Sequence, residues 1–173
     1  FRVFSYKGWL YAMEKAGDIY KARSASDPWN ASGVDLTSTD LWRKPSNHPF
    51  TFSNRHIRHS ALAVVGDTLH VWFSCIGDVA ERIEYATINL AAGDWSSWKG
   101  SSPQDVLKPE LSWEGVNYPL IKSVSGSATN VRQLRDPAYF RDSDGGSYLL
   151  YTGQGEEGIG LASIPDVGGG TGG

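Results

Sequence analysis

One strand–turn–strand–turn–strand unit occurs three times along the chain, and this repetition limits the possible folds more than any other feature. The three segments are FRVFSYKGWLYAMEKAGDIYKARSA from Phe1, HSALAVVGDTLHVWFSCIGDVAERIEYATIN from His59 and RDPAYFRDSDGGSYLLYTGQGEEGIGLASI from Arg135. Each opens with a short apolar strand and a turn, at Lys7-Gly8, Gly66-Asp67 or Asp144-Gly145-Gly146. An aromatic-rich strand follows, from Trp9 to Met13, Leu69 to Cys75 or Tyr148 to Thr152. A second turn holds Gly17, Gly77 or Gly153 to Gly158, and a third strand closes the unit at Ile19 to Ala22, Ile83 to Ile88 or Ile159 to Ile164. Gly and Asp supply the positive-φ positions of tight hairpins, and alternating apolar residues mark half-buried strands.

The units start roughly 60 and then roughly 80 residues apart, more than the ~40–50 of compact propeller repeats. The surplus lies between them, where LWRKPSNHPF and DWSSWKGSSPQDVLKP can each supply a fourth, outer strand and a loop. Four antiparallel strands repeated around an axis form the blade of a β-propeller, and an irregular sandwich is the alternative. The expected fold is therefore all-β, a propeller fragment of about three four-stranded blades. Its blades fall near residues 1–53, 54–121 and 122–166, and a flexible Gly-rich tail covers 167–173. The stretches around Pro28 and in PELSWEGVNYPL read as loop. Rings close with four to eight blades. Three blades imply either missing N-terminal blades or a homo-oligomer, most simply a dimer burying the end blades that carry Trp9 to Met13 and Tyr148 to Thr152.

Composition narrows the function class. Hydrophobic residues at 40% and charged residues at 20% describe a globular chain with a core, not a disordered one. The net charge of −3, with no Lys/Arg-rich run, argues against nucleic acid or an anionic membrane as partner. No apolar run approaches the roughly 20 residues that span a bilayer. Cys75, the one cysteine, sits in an apolar strand as a buried thiol and leaves the compartment open. Seven Trp and eight Tyr fit either an aromatic core or a surface that stacks on sugar rings.

The segments RHSALAVVGDTLHVWFSCIGDVAERI, WEGVNYPL and QLRDPAYFRDSDGGSYLLYTGQGEEGIGLA resemble the five-bladed β-propeller glycoside hydrolases, the superfamily of family 43 arabinofuranosidases and xylosidases and family 32 invertases. The resemblance covers most of the chain as the last three blades. It implies a carbohydrate ligand, with action on arabinose-, xylose- or fructose-type glycans, and an inner strand of each blade lining a central funnel. It places Asp136 at the start of such a strand in a charge-tuning or transition-state-stabilising role, with Arg135 beside it. It also implies that one of the catalytic carboxylates comes from a first blade. A non-catalytic sugar-binding or protein-interaction module that assembles as an oligomer is the alternative.

The residues carry their own argument. Pro137 cannot donate to a ladder, which puts Asp136 at the mouth of its strand, with Arg135 and Asp136 on opposite faces. In NRHIRHS, alternation sets His56, Arg58 and Ser60 on one side and Arg55, Ile57 and His59 on the other. His56, Arg58 and His59, together with Arg135, are the expected binders of sugar hydroxyls or carboxylates; structural hydrogen bonding is the other reading. Glu114 is the candidate general acid, because neighbouring Trp113 can desolvate it. Glu81-Arg82 and Glu156-Glu157 fall in turns, where charges are ordinarily solvated. No His/Asp/Glu spacing supports a metal, and nothing calls for a cofactor.

Overall fold

The computed structural model describes residues 2–22, 42–43 and 48–168; the loop around Pro28 and most of the Gly-rich tail lie outside them. The fold is all-β, with three antiparallel sheets. The first sheet runs β1 (Arg2–Tyr6), β2 (Trp9–Met13), β3 (Ile19–Ala22) and β4 (Trp42–Arg43). The second runs β5 (His56–Val65), β6 (Thr68–Ile76), β7 (Ile83–Asn89) and β8 (Gln104–Leu107). The third holds three strands among the described residues: β9 (Arg135–Arg141), β10 (Ser147–Gly153) and β11 (Gly158–Ile164).

The repeated units of the sequence are these sheets, and β4 and β8 are the fourth strands supplied by the inter-unit segments. Local chemistry explains the hairpins. Lys7 and Gly8 both take positive φ (46° and 76°), the pattern of a type I′ turn, and close the two-residue loop between Tyr6 and Trp9.

The three sheets pack face to face, with the first strands side by side: β5 lies against both β1 and β9. Arg2 Nε donates to the Ser60 carbonyl at 3.0 Å across the first of these contacts. Three small sheets in this relation are consistent with a few propeller-like blades. The second sheet is the middle layer, so β6 is buried on both faces. Leu69, Val71, Phe73 and Cys75 enter the core shared with Phe4, Tyr11, Met13 and Ile19 of the first sheet. Trp72 faces the other way, into a core with Leu134, Leu149, Tyr151 and Ile164 around the third sheet. This double coverage is why β6 reads as a near-continuous apolar run.

His70 is buried on that second face, 2.7 Å through Nδ1 from the Tyr85 hydroxyl and stacked near Trp72 and Tyr85. Burial holds its imidazole below the ordinary value of 6.5. The unfolded chain therefore binds this proton at higher pH than the folded chain. The His70 contribution is fully present above about pH 6.5 and is lost as pH falls through the folded value. Urea midpoints measured between about pH 8 and pH 5 should drop less in His70→Gln than in the parent. Identical pH slopes would contradict this assignment.

Candidate functional site

Two β-bulges at matching places build the site. On β5, Ile57 pairs with Cys75 and Ser60 with Phe73, so Arg58 and His59 together oppose the single residue Ser74. On β9, Ala138 pairs with Leu150 and Arg135 with Thr152, so Asp136 and Pro137 oppose Tyr151 alone. Asp136 takes φ 51°, a conformation that Asp adopts more readily than most side chains. Pro137 has no N–H to lose from the ladder. A bulge re-aims the side chains around it.

The consequence corrects the simple alternation expected for NRHIRHS. Ile57 packs into the core against the first sheet, whereas Ala61 packs into the core against the third. Two residues four apart would share a face on a regular strand; the extra residue moves them to opposite faces. Arg58 is thereby buried, while His56 and His59 are exposed.

His59 and Asp136 meet at the surface. His59 Nδ1 hydrogen-bonds Asp136 Oδ1, with the two side chains 48% and 27% exposed, and Thr152 Oγ1 lies 3.4 Å from Asp136 Oδ2. The pair joins the first strands of two sheets, with about half of the imidazole and about a quarter of the Asp136 side chain open to solvent. A carboxylate accepts and a ring nitrogen donates or accepts, which is a set suited to neighbouring hydroxyls.

Arg58 and Arg135, expected as ligand contacts, point inward instead and share one carboxylate. Glu81 and Arg135 are both fully buried. Arg58 Nε donates to Glu81 Oε1 at 2.9 Å and its Nη2 to Oε2 at 3.2 Å. Arg135 Nε lies 3.3 Å from Glu81 Oε2, and its Nη1 donates to Glu156 at 2.9 Å. Ser74 donates to Glu81 Oε1 at 2.7 Å, and Ser123 donates to Oε2. Both guanidiniums also donate to the Gly126 carbonyl, pinning the long loop over the bulges. Glu81 was expected to be a solvated turn residue; its placement between two sheets makes it the centre of a buried ion triad.

A second cluster lies beside it. Arg55 donates to both oxygens of Asp78 at 3.1 Å and bridges to Glu84, and Arg82 joins Asp78, Glu84 and Asp105. Cys75, Asp78 and Glu84 bring donor atoms within 4.8 Å of one another, but the two carboxylates spend theirs on Arg55 and Arg82. Burial, ahead of the neighbouring charges, pushes the Cys75 thiol well up and leaves it inert.

Glu114 stands in a short 3-10 turn, Ser112–Glu114, bonded to β10. Its Oε2 accepts the backbone N–H groups of Glu110 and Leu111 at 2.8 and 2.9 Å, and Oε1 accepts the Tyr151 hydroxyl at 2.6 Å. Burial and then this bond push the Tyr151 phenol up, so it remains a donor. Trp113 packs against Gly153 and Gly160, where any Cβ would come within 2.7 and 2.4 Å of its ring. These bonds fasten the loop to the third sheet, which is the work of an anchoring carboxylate.

No family model matches the chain, and no solved structure matches it. Among curated proteins it is similar to the uncharacterized protein R118 of Acanthamoeba polyphaga mimivirus, 32% identical over 169 residues. That match takes in 95% of this chain and 46% of the relative, so the chain spans about half the length of the curated relative it matches.

Proposed function

We propose that the chain is the ligand-binding part of a carbohydrate-active, glycoside hydrolase-like propeller, with sugar hydroxyls held at the His59–Asp136 pair. The observation that carries this reading is the convergence of two bulged first strands on one exposed imidazole–carboxylate pair. The buried Arg58–Glu81–Arg135 triad beneath it fixes the spacing of those strands. A site held on rigid strands suits recognition of a stereochemically dense ligand.

Hydrolysis requires two carboxyl groups, roughly 5–5.5 Å apart for retention or 6.5–9.5 Å for inversion. Asp136 is a charge-tuning carboxylate beside that pair and not a member of it, and one member of the pair is assigned to a first blade. Glycans of arabinose, xylose or fructose type are the proposed ligands, on the strength of the family resemblance alone.

The test is an NMR titration of the chain with arabino-, xylo- and fructo-oligosaccharides up to about 100 mM, following His59 and Asp136. Weak binding, at about millimolar affinity, is expected for one of the three, with a loss of about tenfold or more in Asp136→Asn. Unmoved His59 and Asp136 resonances with all three, or undiminished affinity in the variant, would defeat the proposal.

A further inference from the structure

A cavity of about 350 Å³ opens between the β6–β7 turn, strand β8 and the long loop from β8 to β9. This size falls within the range of small-ligand sites. β6 ends where β5 begins, with Ile76 opposite His56, so the cavity lies at the same end of the sheets as His59 and Asp136. Its polar lining is Arg82, Asp105, Lys108 and Arg132. Val79 and Leu120, 58% and 59% exposed, stand with Pro109 as apolar walls. Backbone bonds hold these walls. The Ser123 N–H donates to the Asp78 carbonyl at 2.8 Å, and the Gly77 N–H donates to the Ser123 carbonyl at 3.1 Å. Close to Arg132 in the chain, the Leu134 N–H donates to the Glu81 carbonyl at 3.0 Å.

Charge in and behind this cavity does not balance. Arg55, Arg82 and Lys108 pair with Asp78, Glu84 and Asp105, three cations with three carboxylates. Arg132 is left over. It is half-buried and makes no hydrogen bond or ion pair among the described residues. Glu110, next to Pro109, is exposed and is paired with neither Arg132 nor Lys108. A cation partly withdrawn from water without a counter-charge is held at a cost that a bound anion relieves. Lys108 bonds Asp105 at 2.6 Å and, with three N–H donors, has others to offer.

We infer that the cavity binds the carboxylate of an acidic sugar, with Arg132 as the principal donor and Lys108 beside it. A surplus of one positive charge matches a carboxylate, whereas a phosphate ester carries about −1.5 to −2. The planar guanidinium offers parallel N–H groups that meet both carboxylate oxygens. Val79, Pro109 and Leu120 supply the apolar contact for the C–H face of the ring, and a few polar groups among apolar walls are the usual make-up of a ligand site. The inference rests on the sugar-binding proposal for the body of the ligand and adds an acidic residue to the glycan.

The test is an NMR titration of the chain with glucuronate, galacturonate, glucose and inorganic phosphate, each to about 100 mM at constant ionic strength. One uronate should shift the Arg132 side-chain and the Ala80 and Leu120 amide signals saturably, at about millimolar affinity. Glucose should leave them in place, and phosphate should bind at least about tenfold more weakly. Arg132→Gln should weaken uronate binding by at least about tenfold, and Arg132→Lys, which keeps the charge but not the fork, should fall between. Because Arg132 holds no structural bond, circular dichroism and the urea midpoint of both variants should match the parent. Signals unmoved by either uronate, an equal response to glucose, phosphate binding as tight as uronate, or undiminished affinity in Arg132→Gln would each overturn the inference. His59 and Asp136 report the neutral-oligosaccharide titration and Arg132 the uronate one, so failure of either reading is seen separately.

Discussion

Glu81→Ala is expected to destabilise the protein by about 3–5 kcal/mol, the cost of removing one partner from a buried ion cluster. Arg58 and Arg135 would keep their positive charges in a site from which water is excluded, with Glu156 left as the one carboxylate bonded to either. The two serines that donate to Glu81 would lose their acceptor as well. Such a loss is a large part of the roughly 5–15 kcal/mol that keeps a domain folded. Glu81→Gln preserves the shape and some hydrogen bonds but not the charge, so it should fall between the parent and Glu81→Ala. Urea midpoints of the three proteins give the order, and a Glu81→Ala midpoint within about 1 kcal/mol of the parent would refute it. The argument concerns removal of one member only. A well-packed apolar replacement of the whole triad can be neutral or stabilising, because desolvating three charges is itself expensive.

The contrast between Glu81 and the strands marks what one sequence makes legible. Trp9–Met13 and Ile19–Ala22 are strands with the bounds that their apolar pattern sets, because alternation and turn glycines are local signals. The sheets to which they belong follow from the repetition of the unit. The bulges do not follow, since a bulge is defined by two residues on one strand opposing one on its neighbour. From NRHIRHS alone, Arg58 and His56 share a face; only the pairing of Ile57 with Cys75 and Ser60 with Phe73 reveals the extra residue. Glu81 sits in a turn, where the local expectation is hydration, and its burial depends on arginines from two other strands. One signal was available: GDVAERIEY places Glu81 and Glu84 among apolar residues, close to Arg82 and Asp78, at a density unusual for a plain hairpin turn. The meeting of His59 with Asp136, by contrast, agrees with their shared place at the openings of two copies of the unit.

Trp72→Ala is the second large effect. Trp72 is buried in the layer between the second and third sheets, and its ring lies parallel to Tyr139 of β9, with centroids 4.7 Å apart and planes 4° apart. Tyr85 packs beside it, tilted, with centroids 5.4 Å apart. Truncation removes the largest side chain of that core and leaves a cavity that paired strands cannot collapse to fill, at a cost of about 3–5 kcal/mol. Lost ring stacking adds roughly 0.5–1.5 kcal/mol. Trp72→Phe retains a ring and should cost markedly less. The effect reaches the surface pair because Tyr139 lies on the same strand as Asp136, while Trp72 is on β6, hydrogen-bonded to the β5 strand that carries His59. Without the stack, β9 is held against the second sheet by the Glu81 triad and the remaining core around Leu134 and Leu149, and the separation of His59 from Asp136 becomes less defined. Near-ultraviolet circular dichroism and urea midpoints read the first consequence; the His59 ring resonances, narrow in the parent and broadened in Trp72→Ala under native conditions, read the second. A variant that loses the expected stability but keeps sharp, unshifted His59 signals would show that the stack does not set the geometry of the pair.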